Sequence, residues 1–276
     1  MGSSKREAPP LPERLAPIVD AHTHLDACGA HDEDTLHAIV DRADSAGVGT
    51  IVTVADDLDA AENAVRFAHW DERVHAAVAL HPTRANALDE HARERIEALS
   101  RDERTVAVGE TGLDWYWPGK LDGCATRAEQ EDAFRWHIDL AKRIGKPLML
   151  HNREADDDLV RVLLSEGPPD TVIFHCFSSG PAMARTCLDN GWILSLSGTV
   201  SFRNARELHE AARLIPHEQM MVETDAPYLT PHPYRGAPNQ SYCLPYTVRA
   251  LSELRGEDAE AVAAGTTATA RRVYRL

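Results

Sequence analysis

From residue 18 onward the chain alternates short apolar or β-branched runs with longer stretches whose apolar residues recur at helical spacing. The runs are IVDAHTH (18–24), GTIVTVAD (49–56), VHAAVALHP (74–82), TVAVGETGLD (105–114), KPLMLHNRE (146–154), TVIFHCFSS (171–179), WILSLSGTV (192–200) and MMVETDAP (220–227). Eight runs of strand length, separated by segments of helical length, predict a parallel sheet with right-handed crossovers. Helical spacing is clearest in EDTLHAIVDRADSAG, ARERIEALSRD and TRAEQEDAFRWHIDLAKRIG, and Gly47, Gly145 and Gly191 fall where three helices should stop. Beyond residue 245, PYTVRALSELRG and EDAEAVAAGTTATARRVYRL predict two closing helices.

Closing such a sheet gives an α/β fold of the TIM (β/α)8 type; leaving it open gives a doubly wound fold. The count of eight and the polar residues that end nearly every run favour closure, because an open sheet gathers its site at one switch point. A chain of 276 residues suits one barrel, which normally needs about 250. We expect a single barrel domain over 18–276. Residues 1–17, MGSSKREAPPLPERLAP, are rich in Pro and charge, lack the apolar core of a signal peptide, and are expected to form a flexible extension. Arg6 stands where a myristoylation signal would want Ser or Thr.

Charge narrows the function classes. Lys+Arg 29 against Asp+Glu 44 gives a net charge of −15, the wrong sign for a protein that grips long nucleic acid by its surface. Any phosphate-bearing substrate must be attracted locally. Five cysteines, Cys28, Cys124, Cys176, Cys187 and Cys243, form no C-x-x-C pair and suit a reducing cytoplasm better than a disulfide framework. No run approaches the ~18 apolar residues needed to span a bilayer. A cytoplasmic monomer without membrane attachment is expected.

Six potential metal ligands lie where apolar runs end. His22 and His24 are two apart in a predicted strand and share a face, so one ion can accept both; a hydrogen-bonded pair of strand-end histidines is the alternative. Asp20 and Asp26 are candidates to orient the imidazoles. Glu110 follows TVAVG, where its two oxygens can bridge cations ~3.5–4 Å apart. A modified lysine is the other known bridge, but Lys120, Lys142 and Lys146 fall in loop or helix. Gly109 and Gly112 suit close packing around Glu110. His151 ends KPLML and His175 ends TVIF, on neighbouring strands, so both can reach a second ion. Asp225 ends the eighth run beside the first strand and can complete the site of His22 and His24, or take a proton from water. Glu223 shares its face and should lie deeper. Asp114 and His81 also end runs, and structural roles are at least as apt for them.

For substrate, Arg153 lies two residues past His151, where its guanidinium could hold a phosphate oxygen; pairing with Glu154 or Asp156 is the alternative. Ser178 and the backbone near Gly180 could donate to an oxyanion. Cys176 should point away from the site and be buried.

The segments DAHTHLD, GETGLD, HNREA, HCFSSG, SGTVSF and ETDAPYLTP resemble, in order and spacing, the motifs of TatD-type metal-dependent deoxyribonucleases, a branch of the amidohydrolase-like barrels. The resemblance runs from about residue 18 to the C-terminus. It implies a barrel with two divalent ions: one on His22, His24, Glu110 and Asp225, the other on Glu110, His151 and His175. It also implies hydrolysis of DNA phosphodiesters, often from the 3′ end, while some relatives are linked to repair or to removing aminoacyl groups from tRNA. Two positions depart from the family pattern. Where R-G-x-x-N-E-P is usual, this chain has Arg235, Gly236, Ala237, Pro238, Asn239, Gln240 and Ser241, and an extra serine precedes the glycine of HCFSSG.

The expected activity is therefore a metal-dependent hydrolase, most simply a 3′–5′ exodeoxyribonuclease acting on DNA ends or small phosphodiesters, with Asp225 as base, Glu110 as bridge, and Arg153 and Ser178 contacting substrate. Four imidazoles favour Zn²⁺ or Mn²⁺ over Mg²⁺, whereas the two carboxylates also accept Mg²⁺. A carbonyl hydrolase, such as an aminoacyl-tRNA deacylase or lactonase, and a non-catalytic metal-binding barrel are the alternatives.

Overall fold

The computed structural model describes residues 6–276. The strands are β1 (Ile18–Thr23), β2 (Val48–Val54), β3 (Val74–Val78), β4 (Thr105–Asp114), β5 (Leu148–Arg153), β6 (Val172–Phe174), β7 (Ile193–Leu196) and β8 (Met220–Val222). Helices follow them in alternation: α1 (Glu33–Ser45), α2 (Leu58–Trp70), α3 (Glu90–Ser100), α4 (Arg127–Ile144), α5 (Asp156–Glu166), α6 (Pro181–Asp189), α7 (Arg206–Leu214), α8 (Leu244–Arg255) and α9 (Ala259–Tyr274). All eight strands belong to one sheet in chain order. The last joins the first: Asp225 N–H donates to the His22 carbonyl at 3.0 Å and His24 N–H to that of Ala226 at 2.8 Å. Sequential order with this closure defines the (β/α)8 barrel and rules out the open doubly wound sheet.

Local chemistry sets the helix ends. Asp32 with Thr35, and Thr126 with Glu129, form capping boxes that satisfy the first free N–H groups of α1 and α4. Gly145 ends α4 and Gly256 ends α8 in the left-handed conformation that glycine adopts without steric cost.

By compactness the chain divides into two units. One comprises the described residues up to Val52 together with Cys176–Arg272 and Leu276; the other is Thr53–His175 with Val273–Arg275. In the first unit, β1 is buried along its whole length and β7 pairs with β8 through Leu194↔Met220, Ser195↔Met221 and Leu196↔Val222. In the second, β4 carries the sheet, with all ten residues buried. Its neighbours are β3 and β5, with Gly112↔His151 and Asp114↔Arg153 as register pairs on the β5 side.

Residues 6–17 differ from the flexible extension expected of them. Pro9, Pro12 and Leu15 are buried. Tyr242 and Tyr246 hydroxyls donate to the Pro9 and Pro10 carbonyls at 2.7 and 3.0 Å, and Arg249 donates to Glu13 O at 2.8 Å. Proline-rich backbone keeps its carbonyl acceptors, and α8 with the turn before it supplies the donors. Residues 1–5 of that extension lie outside the described residues. No disulfide joins the five cysteines. Among the described residues no helix is long and apolar enough to cross a membrane.

Gly112 shows how tightly β4 and β5 approach. It has φ +135°, and a Cβ there would lie 2.2 Å from the His151 carbonyl oxygen. Gly109 is similar, since its Cβ would meet Met149 Cβ at 2.4 Å. Gly112→Ala should therefore destabilise the fold by about 1–3 kcal/mol, read as a lower urea midpoint; an unchanged midpoint would mean that the strands can separate there without cost.

Candidate metal centres

In the first unit, β1 and the turn after β8 bring His22, His24 and Asp225 together. His22 lies in β1, and His24 lies one residue past its end. Their Nε2 atoms are 3.3 Å apart, and Asp225 Oδ1 is 3.6 and 3.5 Å from them. All three residues are buried, and their ligand atoms fall within 4.8 Å of one another. Asp225 does not end a strand as expected: β8 stops at Val222, and Asp225 has φ +51°. That left-handed backbone, which Asp tolerates better than most residues, turns its carboxylate toward the imidazoles.

Of the surrounding carboxylates, Asp20 and Asp26 make bonds other than those to the imidazoles. Asp20 does not orient an imidazole. It accepts from Thr224 N–H at 2.9 Å and Thr224 Oγ1 at 2.6 Å, which fixes the turn leading to Asp225. Burial pushes its carboxyl up to about 7 despite those bonds. Asp26 accepts from Ala27 N–H at 2.8 Å within its own turn. Glu223 is fully buried, and its Oε1 accepts from Cys176 N–H at 2.8 Å. Cys176 is partly exposed rather than buried, because φ +43° takes it out of the strand alternation; its Sγ lies 3.3 Å from Ser197 Oγ. Ser178 is exposed, and Gly180 caps the start of α6. In the loop that departs from the family pattern, Asn239 Nδ2 donates to the carbonyls of Thr224 and Tyr228 at 3.0 and 2.6 Å.

In the second unit, Glu110 lies within β4 rather than at its end. Its Oε2 is 2.8 Å from His175 Nε2 and 3.3 Å from His151 Nδ1. His175 follows β6 directly and extends the β5 pairing, its N–H donating to Leu150 O at 3.1 Å. His81, at the start of a 3-10 turn over Pro82–Ala87, brings Nε2 to 3.2 Å from His151 Nδ1. His81, Glu110 and His151 form a second group whose ligand atoms fall within 4.8 Å of one another.

Asp114 gives this group its orientation. Its Oδ2 is 2.9 Å from His151 Nε2, while Oδ1 accepts from the N–H groups of Tyr116 and Trp117 at 2.9 and 3.0 Å. The carboxylate thus holds the Nε2–H tautomer and leaves the Nδ1 lone pair toward Glu110, as in carboxylate–histidine–metal arrangements. Asp114 and His81, for which structural roles are as apt from the sequence, thus stand beside His151, Asp114 by the register of β4 against β5.

Both groups suit a divalent cation. Burial works to lower the pKa of His151, but the Asp114 and Glu110 carboxylates outweigh it and raise the value, so the pocket favours positive charge. Burial and then the neighbouring His151 push His81 down to about 3, which keeps its imidazole neutral, the form that ligates metal. Asp114→Asn should weaken metal binding about 10–100-fold, measured by competition with a chromogenic chelator. Unchanged affinity would assign Asp114 to the loop alone.

A (β/α)8 barrel with imidazole and carboxylate clusters at or near its strand ends defines the class of metal-dependent barrel hydrolases. The comparisons specify the family. The family model for TatD related DNase matches residues 19–275. A Mycobacterium tuberculosis protein described as an uncharacterized metal-dependent hydrolase TatD is 66% identical over 259 residues, covering 94% of this chain and 98% of that one. A Cronobacter sakazakii protein described as a 3′-5′ ssDNA/RNA exonuclease TatD is 32% identical, covering 88% and 92%. The crystal structure of YjjV, a TatD homolog from Escherichia coli, superposes with a TM-score of 0.86 at 27% identity, covering 94% and 98%. The chain belongs to the TatD family of metal-dependent hydrolases.

Proposed function

We propose that this chain is a two-metal 3′–5′ exodeoxyribonuclease acting on DNA ends or small phosphodiesters. The observation that carries the reading is the convergence of imidazoles on a carboxylate in each unit: His22 and His24 on Asp225, His151 and His175 on Glu110. The exonuclease description of the Cronobacter relative supports the phosphodiester. In this reading His22, His24 and Asp225 would hold one ion, and Glu110, His151 and His175 another. Mn²⁺ or Zn²⁺ suits the imidazoles best, and Mg²⁺ is compatible with the carboxylates.

Divalent ions held by these residues would polarise water and the phosphoryl oxygen and offset the charge that develops during displacement. Asp225 accepts the proton of the attacking water at its carboxylate. Asp114 keeps His151 in the tautomer that presents Nδ1. The Arg153 guanidinium and the Ser178 hydroxyl are, each in its own unit, the candidate donors to phosphate oxygens of the substrate.

The test compares release of mononucleotides from 3′-labelled single strands with cleavage of aminoacyl and lactone esters, in Mg²⁺ and in Mn²⁺. Metal-dependent 3′ release is expected to dominate. Ester cleavage without nuclease activity would assign the centre to carbonyl chemistry instead, and no turnover of either would make the barrel a binding protein.

A further inference from the structure

Near the second group of ligands, the loop after β4 and the end of β5 carry a cluster of cations and aromatic rings that includes no candidate metal ligand. Tyr116 holds two cations: Lys120 Nζ is 3.7 Å from its ring centroid and Arg153 Cζ 3.9 Å. Trp117 packs edge-on against Tyr116, with centroids 4.9 Å apart, and Arg153 lies 5.4 Å from the Trp117 ring. Lys120 and Arg153 are exposed, and the aromatic residues are partly so. Neither cation has a carboxylate partner among the described residues, and the alternative pairing of Arg153 with Glu154 or Asp156 is not made. Arg135, Arg143 and Arg161 in the same unit, by contrast, all bind glutamates.

The cluster is built rather than incidental. Asp114 Oδ1 accepts from both Tyr116 N–H and Trp117 N–H. Trp115 Nε1 donates to Asp158 at 2.9 Å, and Trp115 N–H donates to the Arg153 carbonyl at 2.9 Å. Lys120 N–H closes the loop onto Trp117 O at 2.9 Å. The other oxygen of the same Asp114 carboxylate lies 2.9 Å from His151 Nε2, so one side chain anchors both the loop and a candidate metal ligand. Two cations stacked on one ring keep their N–H groups available, and a partly exposed indole beside them offers a face for a base.

We propose that Tyr116, Lys120 and Arg153 form a subsite for a backbone phosphate of a single-stranded oligonucleotide, with Trp117 stacking an adjacent base. The inference rests on the nuclease reading above and deepens it. Arg153 works here as one of a pair of cations oriented by Tyr116, and the subsite selects a polymeric substrate over a small ester. Local positive charge of this kind also answers how an acidic protein captures a polyanion.

The experiment measures binding of a fluorescein-labelled, phosphorothioate-linked oligodeoxythymidine of about eight nucleotides by anisotropy, with the protein's metals retained. Tyr116→Leu should raise Kd roughly tenfold, while Tyr116→Phe, which keeps the ring, should restore wild-type binding. Lys120→Gln, at an exposed position where folding is not at stake, should reduce the slope of log affinity against log salt by about 0.7. Wild-type Kd for Tyr116→Leu and an unaltered salt slope for Lys120→Gln would overturn the subsite, as would absence of binding by the wild type. Weakened binding in both variants, together with no hydrolysis by the wild type, would reject the nuclease reading and keep the subsite. Intact hydrolysis with unchanged affinities would reject the subsite alone.

Discussion

Replacing Glu110 with alanine is expected to abolish loading of two metals and to lower hydrolysis by about 10³-fold, the loss of several kcal/mol of charge stabilisation. Its Oε2 lies 2.8 Å from His175 and 3.3 Å from His151, in a strand with every residue buried. Without that carboxylate the imidazoles of His81, His151 and His175 remain, and the nearby Asp114 carboxylate is already engaged with His151 Nε2. Metal affinity should fall by at least about 100-fold, more than for a residue that only orients a ligand. Glu110→Gln is the companion variant, because it keeps the volume beside the close approach of Gly109 to Met149 and removes only the charge. Metal analysis and a turnover assay on the same preparations check the prediction. Full activity with unchanged metal content would refute the role of Glu110 in holding metal.

The second large effect is expected at Asp225. Asp225→Asn should depress kcat by about 10²–10⁴-fold and leave KM for a short single strand within a few-fold, because an amide cannot take a proton. Asparagine tolerates the left-handed backbone at this position, φ +51°, nearly as well as aspartate does, so folding should survive. The Asp225 N–H bond to the His22 carbonyl is made by the backbone and is untouched by the change. An unchanged rate would exclude Asp225 as the base. A rise in KM without loss of kcat would make it a ligand for substrate alone.

The fold was legible where the apolar pattern matched burial. The run 105–114 is β4 to the residue, because a strand buried along its whole length reads as a continuous apolar and small-residue run. Runs 171–179 and 220–227 were too long: β6 ends at Phe174 and β8 at Val222, since the chain beyond them turns at Cys176 and Asp225 in left-handed conformations that hydrophobicity does not encode. His22 and His24 were legible as a pair because spacing alone puts them on one face. The roles of Asp20 and Asp114 were not. Asp20 is bonded to Thr224, 204 residues away, and Asp114 reaches His151 only through the register of β4 against β5. The bonds of residues 9, 10 and 13 were not legible, because composition reports the polarity of side chains, whereas Tyr242, Tyr246 and Arg249 take hold of backbone carbonyls.

The central claim, that this chain holds a pair of divalent ions at its two histidine–carboxylate groups, is tested most directly by equilibrium dialysis against Mn²⁺ with metal quantified by mass spectrometry. The account predicts two tightly bound ions per wild-type chain, and retention of one when His22 and His24 are both replaced by alanine. One ion or none in the wild type, or two in the doubly substituted chain, would contradict it.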